Sequence, residues 1–208
     1  MDDRILIIDF GSQVTQLVAR RVRESGVYSE IYPFDKVTVQ IINDFQPKGI
    51  ILSGGPDSVT KSDSPRAPIE IFTSGLPILG ICYGQQSMVE QLGGSVEPYD
   101  NREFGRAMVK ITGESPLFNS GWENGSQEEV WMSHGDRVSS LPEGFRTIGI
   151  SDATPCAVIA DETRKFYGVQ FHPEVAHTLN GAKLLRNFTH CIAGCRGDWT
   201  IRNFKHDA

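Results

Sequence analysis

Basic residues are outnumbered in this chain. Twenty Lys and Arg stand against 26 Asp and Glu in 208 residues, a formal net charge of −6. That balance argues against a general affinity for nucleic acid or for an anionic membrane surface. No apolar run approaches the roughly 18 residues of a membrane-spanning helix. The longer runs, Ile5–Ile8 and Gly49–Leu52 among them, are strand-sized. Cysteine is scarce too: Cys82, Cys156, Cys191 and Cys195 are too few for a disulfide scaffold. Met1-Asp2-Asp3-Arg4 is acidic and leads straight into a strand-like run. No secretory signal is therefore expected, and reduced thiols in a cytoplasm are the default. Cys191 and Cys195 lie close together with His190 beside them, but no second cluster completes a tetrahedral set, so no metal is expected. Internal repeats and low-complexity tracts are missing as well.

What is present alternates between strand and helix patterns. Arg4–Asp9 is a β-branched run ending in the turn Phe10-Gly11-Ser12, with Ser12 as the expected N-cap. Val14, Leu17, Val18 and Val22 then follow at helical spacing, and Gly26 closes that helix. Tyr28–Tyr32, Gly49–Ser53 and Pro77–Ile81 read as strands, while Val39–Phe45, Pro68–Thr73 and Gly84–Leu92 read as helices. Largely apolar strands separated by helices predict an α/β fold: an open, mainly parallel sheet with helices on both faces.

The second half is less regular. Short strands are expected at Ala107–Ile111, Val130–Met132, Arg146–Ser151, Ala157–Ala160 and Phe166–Phe171, and a helix from about Gly181 to Cys191. Short antiparallel insertions on the α/β core explain that pattern. Gly113–Glu129, rich in Gly, Ser, Asn and Glu, is expected to be a surface loop.

Sites in open α/β sheets form beyond the carboxyl ends of the strands. Here those ends are Asp9-Phe10-Gly11, Ser53-Gly54-Gly55-Pro56, Cys82-Tyr83-Gly84 and His172-Pro173-Glu174. Gly80-Ile81-Cys82-Tyr83-Gly84 puts a cysteine between strand and helix, with glycines two residues to either side. Such a turn pushes the side chain out of the sheet, and a helix N-terminus favours the thiolate. The bland alternative is a buried cysteine acting as a small hydrophobe. A thiol nucleophile needs a base and the base an orienter. His172 and Glu174 stand at i and i+2 after a strand, on one side of extended chain, and supply both. Ser53–Pro56 offers backbone N–H groups for an oxyanion. A phosphate-binding loop is the rival for Ser53–Ser58, but Val59–Pro68 has no helical periodicity for it to cap.

Three segments carry a family resemblance: Gly-Ile-Cys-Tyr-Gly-Gln-Gln (80–86), Ser-Gly-Gly-Pro (53–56) and Gln-Phe-His-Pro-Glu (170–174). Their order and spacing resemble class I (triad) glutamine amidotransferases over residues 4–192. Further segments resemble the subfamily of GMP synthetases: Asp9–Gln13, Gln16–Arg21, Arg102-Glu103-Phe104-Gly105, Trp131–Asp136 and His172–Thr178. The resemblance implies a flavodoxin-like sheet, Cys82 as nucleophile toward the glutamine side chain, His172 as acid and base, and Glu174 as its orienter. It also implies an oxyanion hole from the N–H groups of Gly55 and Tyr83. Substrate contacts fall to Gly54, Gln86 and the segment Ser133, His134, Gly135 and Asp136. For His134 and Asp136 a loop-stabilising role is the alternative.

The resemblance further implies a glutamine amidotransferase domain over residues 1–194. Residues 195–208 look like a linker, expected to be loosely packed, toward an ATP pyrophosphatase (synthetase) domain that lies outside this sequence. L-Glutamine is then the substrate. The domain itself needs no cofactor, and ATP and Mg²⁺ belong to the partner domain, where xanthosine monophosphate is aminated. No nucleic acid or membrane partner is expected. A stand-alone γ-glutamyl hydrolase and a silent glutamine-sensing module are the other readings. Asp9, Arg20, Arg21 and His177 match the subfamily without a role that the residues reveal.

Overall fold

The computed structural model describes residues 2–201. Among them, nine strands form one sheet in the order β2-β1-β3-β4-β9-β8-β7-β5-β6. The strands are β1 (Arg4–Asp9), β2 (Tyr28–Pro33), β3 (Gly49–Leu52), β4 (Ile78–Ile81), β5 (Ser95–Ile111), β6 (Gln127–Ser140), β7 (Arg146–Ile150), β8 (Val158–Asp161) and β9 (Phe166–Val169). Pairing is parallel from β2 through β1, β3 and β4 to β9, and antiparallel from β9 outward to β6.

Helices α1 (Thr15–Glu24), α2 (Val39–Phe45), α3 (Tyr83–Gln91) and α4 (Gly181–Arg186) cover both faces. Strand alternation decides which residue goes where. Ile5 and Ile7 of β1 point to the side packed by Val18 and Val22 of α1 and by Leu184, Leu185 and Phe188. Leu6 and Ile8 point to the other side, against Ile42 and Phe45 of α2 and Met88 and Val89 of α3. The expected α/β sheet, sandwiched between helices, is the observed architecture.

Several details differ. The antiparallel insertion is not short: β5 and β6 form a hairpin of 17 and 14 residues that reaches well beyond the parallel core. Helix α1 starts later than Ser12 predicts. Val14 occupies the cap position without a side-chain bond, while the Ser12 hydroxyl accepts from Val14 N–H at 3.1 Å inside the preceding turn. Pro68–Thr73 gives a 3₁₀ turn over Ile69–Thr73, and the last helix loosens into a π-helical stretch over Asn187–Ile192. Gly113–Glu129 is no plain surface loop, since Leu117, Phe118 and Trp122 bury their side chains in the core. The Trp122 ring stacks on Phe171 at 5.5 Å, directly before His172.

The tail is held at its start. Arg196 donates from its backbone N–H and its Nε to the Asp3 carboxylate, and Trp199 N–H bonds Gly26 O at 2.9 Å. Cys195 and Trp199 are buried, so loose packing does not hold for 195–199. Residues 202–208 of the expected linker lie outside the described residues. Among the described residues, no helix is long and apolar enough to cross a membrane.

Candidate active site

Three adjacent strands, β3, β4 and β9, deliver Gly54-Gly55, Cys82 and His172 to one end of the sheet. Cys82 closes β4: its N–H donates to Val169 O on β9 at 2.8 Å, and α3 begins at the next residue. Its backbone sits at φ 52 and ψ −109, a region costly for any residue with a Cβ. The flanking glycines make that turn possible. A Cβ on Gly80 would lie 2.7 Å from Gln85 N, and one on Gly84 would lie 2.3 Å from Leu52 O. The first turn of α3 thus packs directly on β3, and Cys82 occupies the N-cap position, at the positive end of the helix dipole.

His172 Nδ1 lies 2.7 Å from Glu174 Oε1, and both residues are buried. Burial works against a charged imidazole here. The hydrogen bond to Cys82 and the Glu174 carboxylate outweigh it, and the pKa of His172 is pushed up to about 10. The ring is thus set to carry its second proton at neutral pH. Its backbone is pinned as well: His172 N–H donates to Trp131 O at 3.0 Å, and the Thr178 hydroxyl donates to His172 O at 2.6 Å. The Cys82 sulfur lies 3.6 Å from the Ser133 carbonyl oxygen and 3.5 Å from Gln170 Nε2.

Gly54 and Gly55 are required by close approach. A Cβ on Gly54 would meet the His172 ring at 3.2 Å, and one on Gly55 would meet Phe10 O at 2.7 Å. No helix follows Ser53–Ser58, so this loop lacks the helix N-terminus that phosphate binding calls for. Ser53 is buried and serves the backbone instead, accepting from Phe10 N–H at 3.2 Å. Tyr83 anchors the far side: its hydroxyl donates to Pro65 O, and Arg66 Nη1 donates to it at 3.3 Å.

A cavity of about 690 Å³ opens beside Cys82, lined by Gly55, Tyr83, Gln86 and the Ser133–Asp136 segment. A smaller one of about 340 Å³ lies on the His172 side, against Ser12, Gln13 and Trp131, and shares Gly55, Cys82 and Ser133 with the first. Glu174 lies behind His172, 1% exposed, and Gly54 sits under the ring. The sequence-predicted residues therefore converge, but their side chains are used differently. Gln86 is 3% exposed and spends its amide on Asp136 O and Gln170 Oε1. His134 is 5% exposed and bonded at both nitrogens within the protein. The Asp136 carboxylate takes a hydrogen bond from Ser58.

Other residues enter to which the sequence assigned no role. Gln170 touches Cys82, and the i, i+2 argument that found His172 and Glu174, carried one step back, would have found it. Arg21 reaches Glu174 O, and Glu103 reaches His134, through contacts that no local signal announces. Asp9 shapes its own turn, accepting from Gly11 N–H and the Thr15 hydroxyl. His177 packs its ring on Trp131 at 4.5 Å. Among the described residues, no cluster of three His, Cys, Asp or Glu could hold a metal ion.

The sequence profile of Glutamine amidotransferase class-I matches residues 6–191, and the chain belongs to that family. Curated relatives include the glutamine-hydrolyzing GMP synthase of Rhodopseudomonas palustris (strain BisB18), 59% identical over 206 residues. That match covers 99% of this chain but 38% of the relative. The GMP synthase of Brucella melitensis biotype 1 is likewise 59% identical, with 40% of its length covered. The chain thus spans about two fifths of the curated relatives it matches. Among solved structures, a Thermoplasma acidophilum protein provisionally assigned as one subunit of a GMP synthase superposes with a TM-score of 0.76 at 30% identity, covering 90% of this chain and 92% of that one. PurLQS from Thermotoga maritima shares the fold at a TM-score of 0.74 and 19% identity, over 92% of this chain and 100% of that one.

Proposed function

We propose that this chain is the glutaminase half of a GMP synthetase. It hydrolyses the side-chain amide of L-glutamine and passes ammonia to a synthetase domain, where ATP and Mg²⁺ activate xanthosine monophosphate for amination. The observation that carries the reading is Cys82 held at φ 52 between two obligatory glycines, beside an imidazole that Glu174 grips at 2.7 Å. The names of the relatives support the acceptor. We place the reaction in the cytoplasm, where the free thiol stays reduced.

The chemistry follows from those positions. The Cys82 thiolate attacks the carboxamide carbon, and the N–H groups of Gly55 and Tyr83 receive the developing oxyanion. His172, as imidazolium, protonates the departing nitrogen; the C–N bond breaks, ammonia leaves and a γ-glutamyl thioester remains. The now neutral His172 takes a proton from water, whose oxygen attacks the thioester. The C–S bond breaks, and glutamate leaves with thiolate and imidazolium restored. Glu174 orients the ring throughout. Gln86 and the Ser133–Asp136 segment form the wall that receives the amino-acid end of the substrate, with Gly54 leaving room for the ring.

The test is glutamate release from glutamine by this chain and by Cys82→Ala, each with and without a separately produced synthetase domain, ATP, Mg²⁺ and xanthosine monophosphate. Cys82-dependent release that rises with the partner is expected. Release absent in every mixture overturns the reading, and faster turnover of γ-glutamyl peptides than of glutamine redirects it to a hydrolase.

A further inference from the structure

The Arg102–Gly105 motif takes no part in the triad, yet it faces the Ser133–Asp136 motif across the long hairpin. Glu103 on β5 is the register partner of His134 on β6. His134 Nε2 lies 3.0 Å from Glu103 Oε2, and its Nδ1 lies 2.8 Å from the carbonyl oxygen of Asp136. A carbonyl oxygen only accepts, so Nδ1 must carry a hydrogen. Glu103 Oε2 also accepts from the Thr154 hydroxyl at 2.9 Å. Burial raises the Glu103 pKa, but hydrogen bonds from His134, Thr154 and Ser151 outweigh it and hold the carboxyl below its usual range. It is therefore an acceptor as well. The His134 ring thus bridges the Glu103 carboxylate and the Asp136 carbonyl, and its Nε2 also lies 3.4 Å from the Thr154 hydroxyl.

The bonds continue toward the nucleophile. The Asp136 carbonyl accepts a second hydrogen from Gln86 Nε2 at 2.9 Å, and the same amide donates to Gln170 Oε1 at 3.0 Å. Gln170 Nε2 then donates to Cys82 Sγ at 3.5 Å. An unbroken chain of contacts, part-buried at the hairpin and buried at its Gln170 end, runs from the hairpin to the thiol. Other charges around this cavity are placed elsewhere. The Asp136 carboxylate is bonded by Ser58, Arg102 lies along Gly135, and Asp57 and Asp100 line the mouth. Arg137, three residues on, pairs with Glu97 at 3.1 Å.

We infer that Glu103 is a positioning residue of the glutamine pocket: by holding the His134 ring it fixes the Asp136 carbonyl, and through Gln86 and Gln170 the pocket wall against Cys82. The inference rests on the glutaminase reading above for its substrate. It also explains why two motifs separated in sequence both belong to the site.

The experiment has two arms on the full 208-residue chain. Ring ¹⁵N resonances of His134, assigned with a His134 variant, are recorded at pH 7.5 for the wild type, Glu103→Ala and Glu103→Gln. The Nε2 resonance is expected to move in each variant, because its Glu103 carboxylate partner is lost or replaced. Cys82 alkylation is then timed with iodoacetamide and with a γ-diazoketone analogue of glutamine. In Glu103→Ala the half-saturating analogue concentration is expected to rise about tenfold, the scale of one buried hydrogen bond left unmade. Iodoacetamide should react within about twofold of wild type, because it does not use the pocket wall. In Glu103→Gln the amide can still bond Nε2 and leave Nδ1–H on Asp136 O, so the analogue constant is expected to recover to within about threefold. Unmoved His134 ring resonances in the variants overturn the inference, as does an unchanged analogue constant in Glu103→Ala. Should Glu103→Ala not fold, the isosteric Glu103→Gln decides, and unmoved ring resonances there overturn the inference. An analogue no faster than iodoacetamide on wild type sinks the glutaminase reading instead, while the spectra still report the contact between Glu103 and His134.

Discussion

Arg21 on α1 donates from Nε to the backbone carbonyl of Glu174 at 3.1 Å, tying a surface helix to the residue that orients His172. Its Nη1 also pairs with Glu24 at 2.9 Å, and its side chain is 28% exposed. The Glu174 carboxylate spends Oε1 on His172, and its buried Oε2 has no hydrogen-bond partner among the described residues. The orientation of Glu174 therefore depends on backbone anchoring.

Arg21→Ala is expected to lower glutaminase kcat by about three- to tenfold with KM unchanged, the scale of one partly exposed charge-assisted bond. Arg21→Lys should not restore it, since a point-like ammonium cannot serve Glu174 O and Glu24 with a fixed fork. Initial-rate kinetics decide. A KM effect equal to the kcat effect would show that Arg21 shapes the pocket rather than the triad.

Gly84→Ala sets two effects against each other. Ala is a better helix former than Gly by about 1 kcal/mol. The added Cβ would, however, lie 2.3 Å from Leu52 O, a backbone atom of β3 that cannot rotate away. The clash wins, and a loss of about 2 kcal/mol or more is expected on urea unfolding. An unchanged midpoint would mean that α3 does not pack on β3 as closely as described.

Cys82→Gly and Cys82→Ala should both abolish turnover but rank unusually in stability. Glycine ordinarily costs about 0.5–1 kcal/mol relative to Ala inside regular structure. At φ 52 and ψ −109 an Ala Cβ keeps the strain and Gly releases it, a gain of about 1–3 kcal/mol. Cys82→Gly is expected to be at least as stable as Cys82→Ala in thermal unfolding. The ordinary order would show the turn to be unstrained.

The pKa of His172 lies at about 10 in the folded chain, above its usual 6.5. A pKa raised on folding contributes stability that is complete below pH 6.5 and is lost as pH climbs toward 10. The stability difference between wild type and His172→Asn should therefore shrink across that window. Iodoacetamide alkylation of Cys82 should be slower in His172→Asn at pH 7, with the gap closing near pH 10. A gap that widens with pH would reverse the assignment of the proton.

Much of the parallel half was legible because its signals are local. Arg4–Asp9 and Val39–Phe45 match the observed β1 and α2 residue for residue, since a β-branched run and a capped apolar stripe each specify one period. The hairpin was legible only at Ala107–Ile111 and Val130–Met132, where its strands join the core. Glu97–Arg106 is largely exposed, carries Pro98 and includes a register shift, so no apolar alternation marks it as strand. The same contrast holds at the site. Cys82, His172 and Glu174 were readable from turn glycines and i, i+2 spacing, whereas the Glu103 contact depends on a register set across the hairpin.

Register is the feature with the widest consequence. Gly80 faces Gly168 and Ile81 faces Val169 across β4 and β9, so the chain positions after them bring Cys82 beside Gln170 and the approach to His172. Neighbouring strands lie about 4.8 Å apart, and a shift of one residue would turn every side chain of β9 to the opposite face. The sheet acts here as a ruler whose smallest division is one residue. Gly168 keeps that ruler from slipping, because a Cβ there would lie 2.6 Å from Gln85 Cγ. The distance between thiol and imidazole is thus set by the spacing of hydrogen-bonded strands, and loops can vary around it without resetting it.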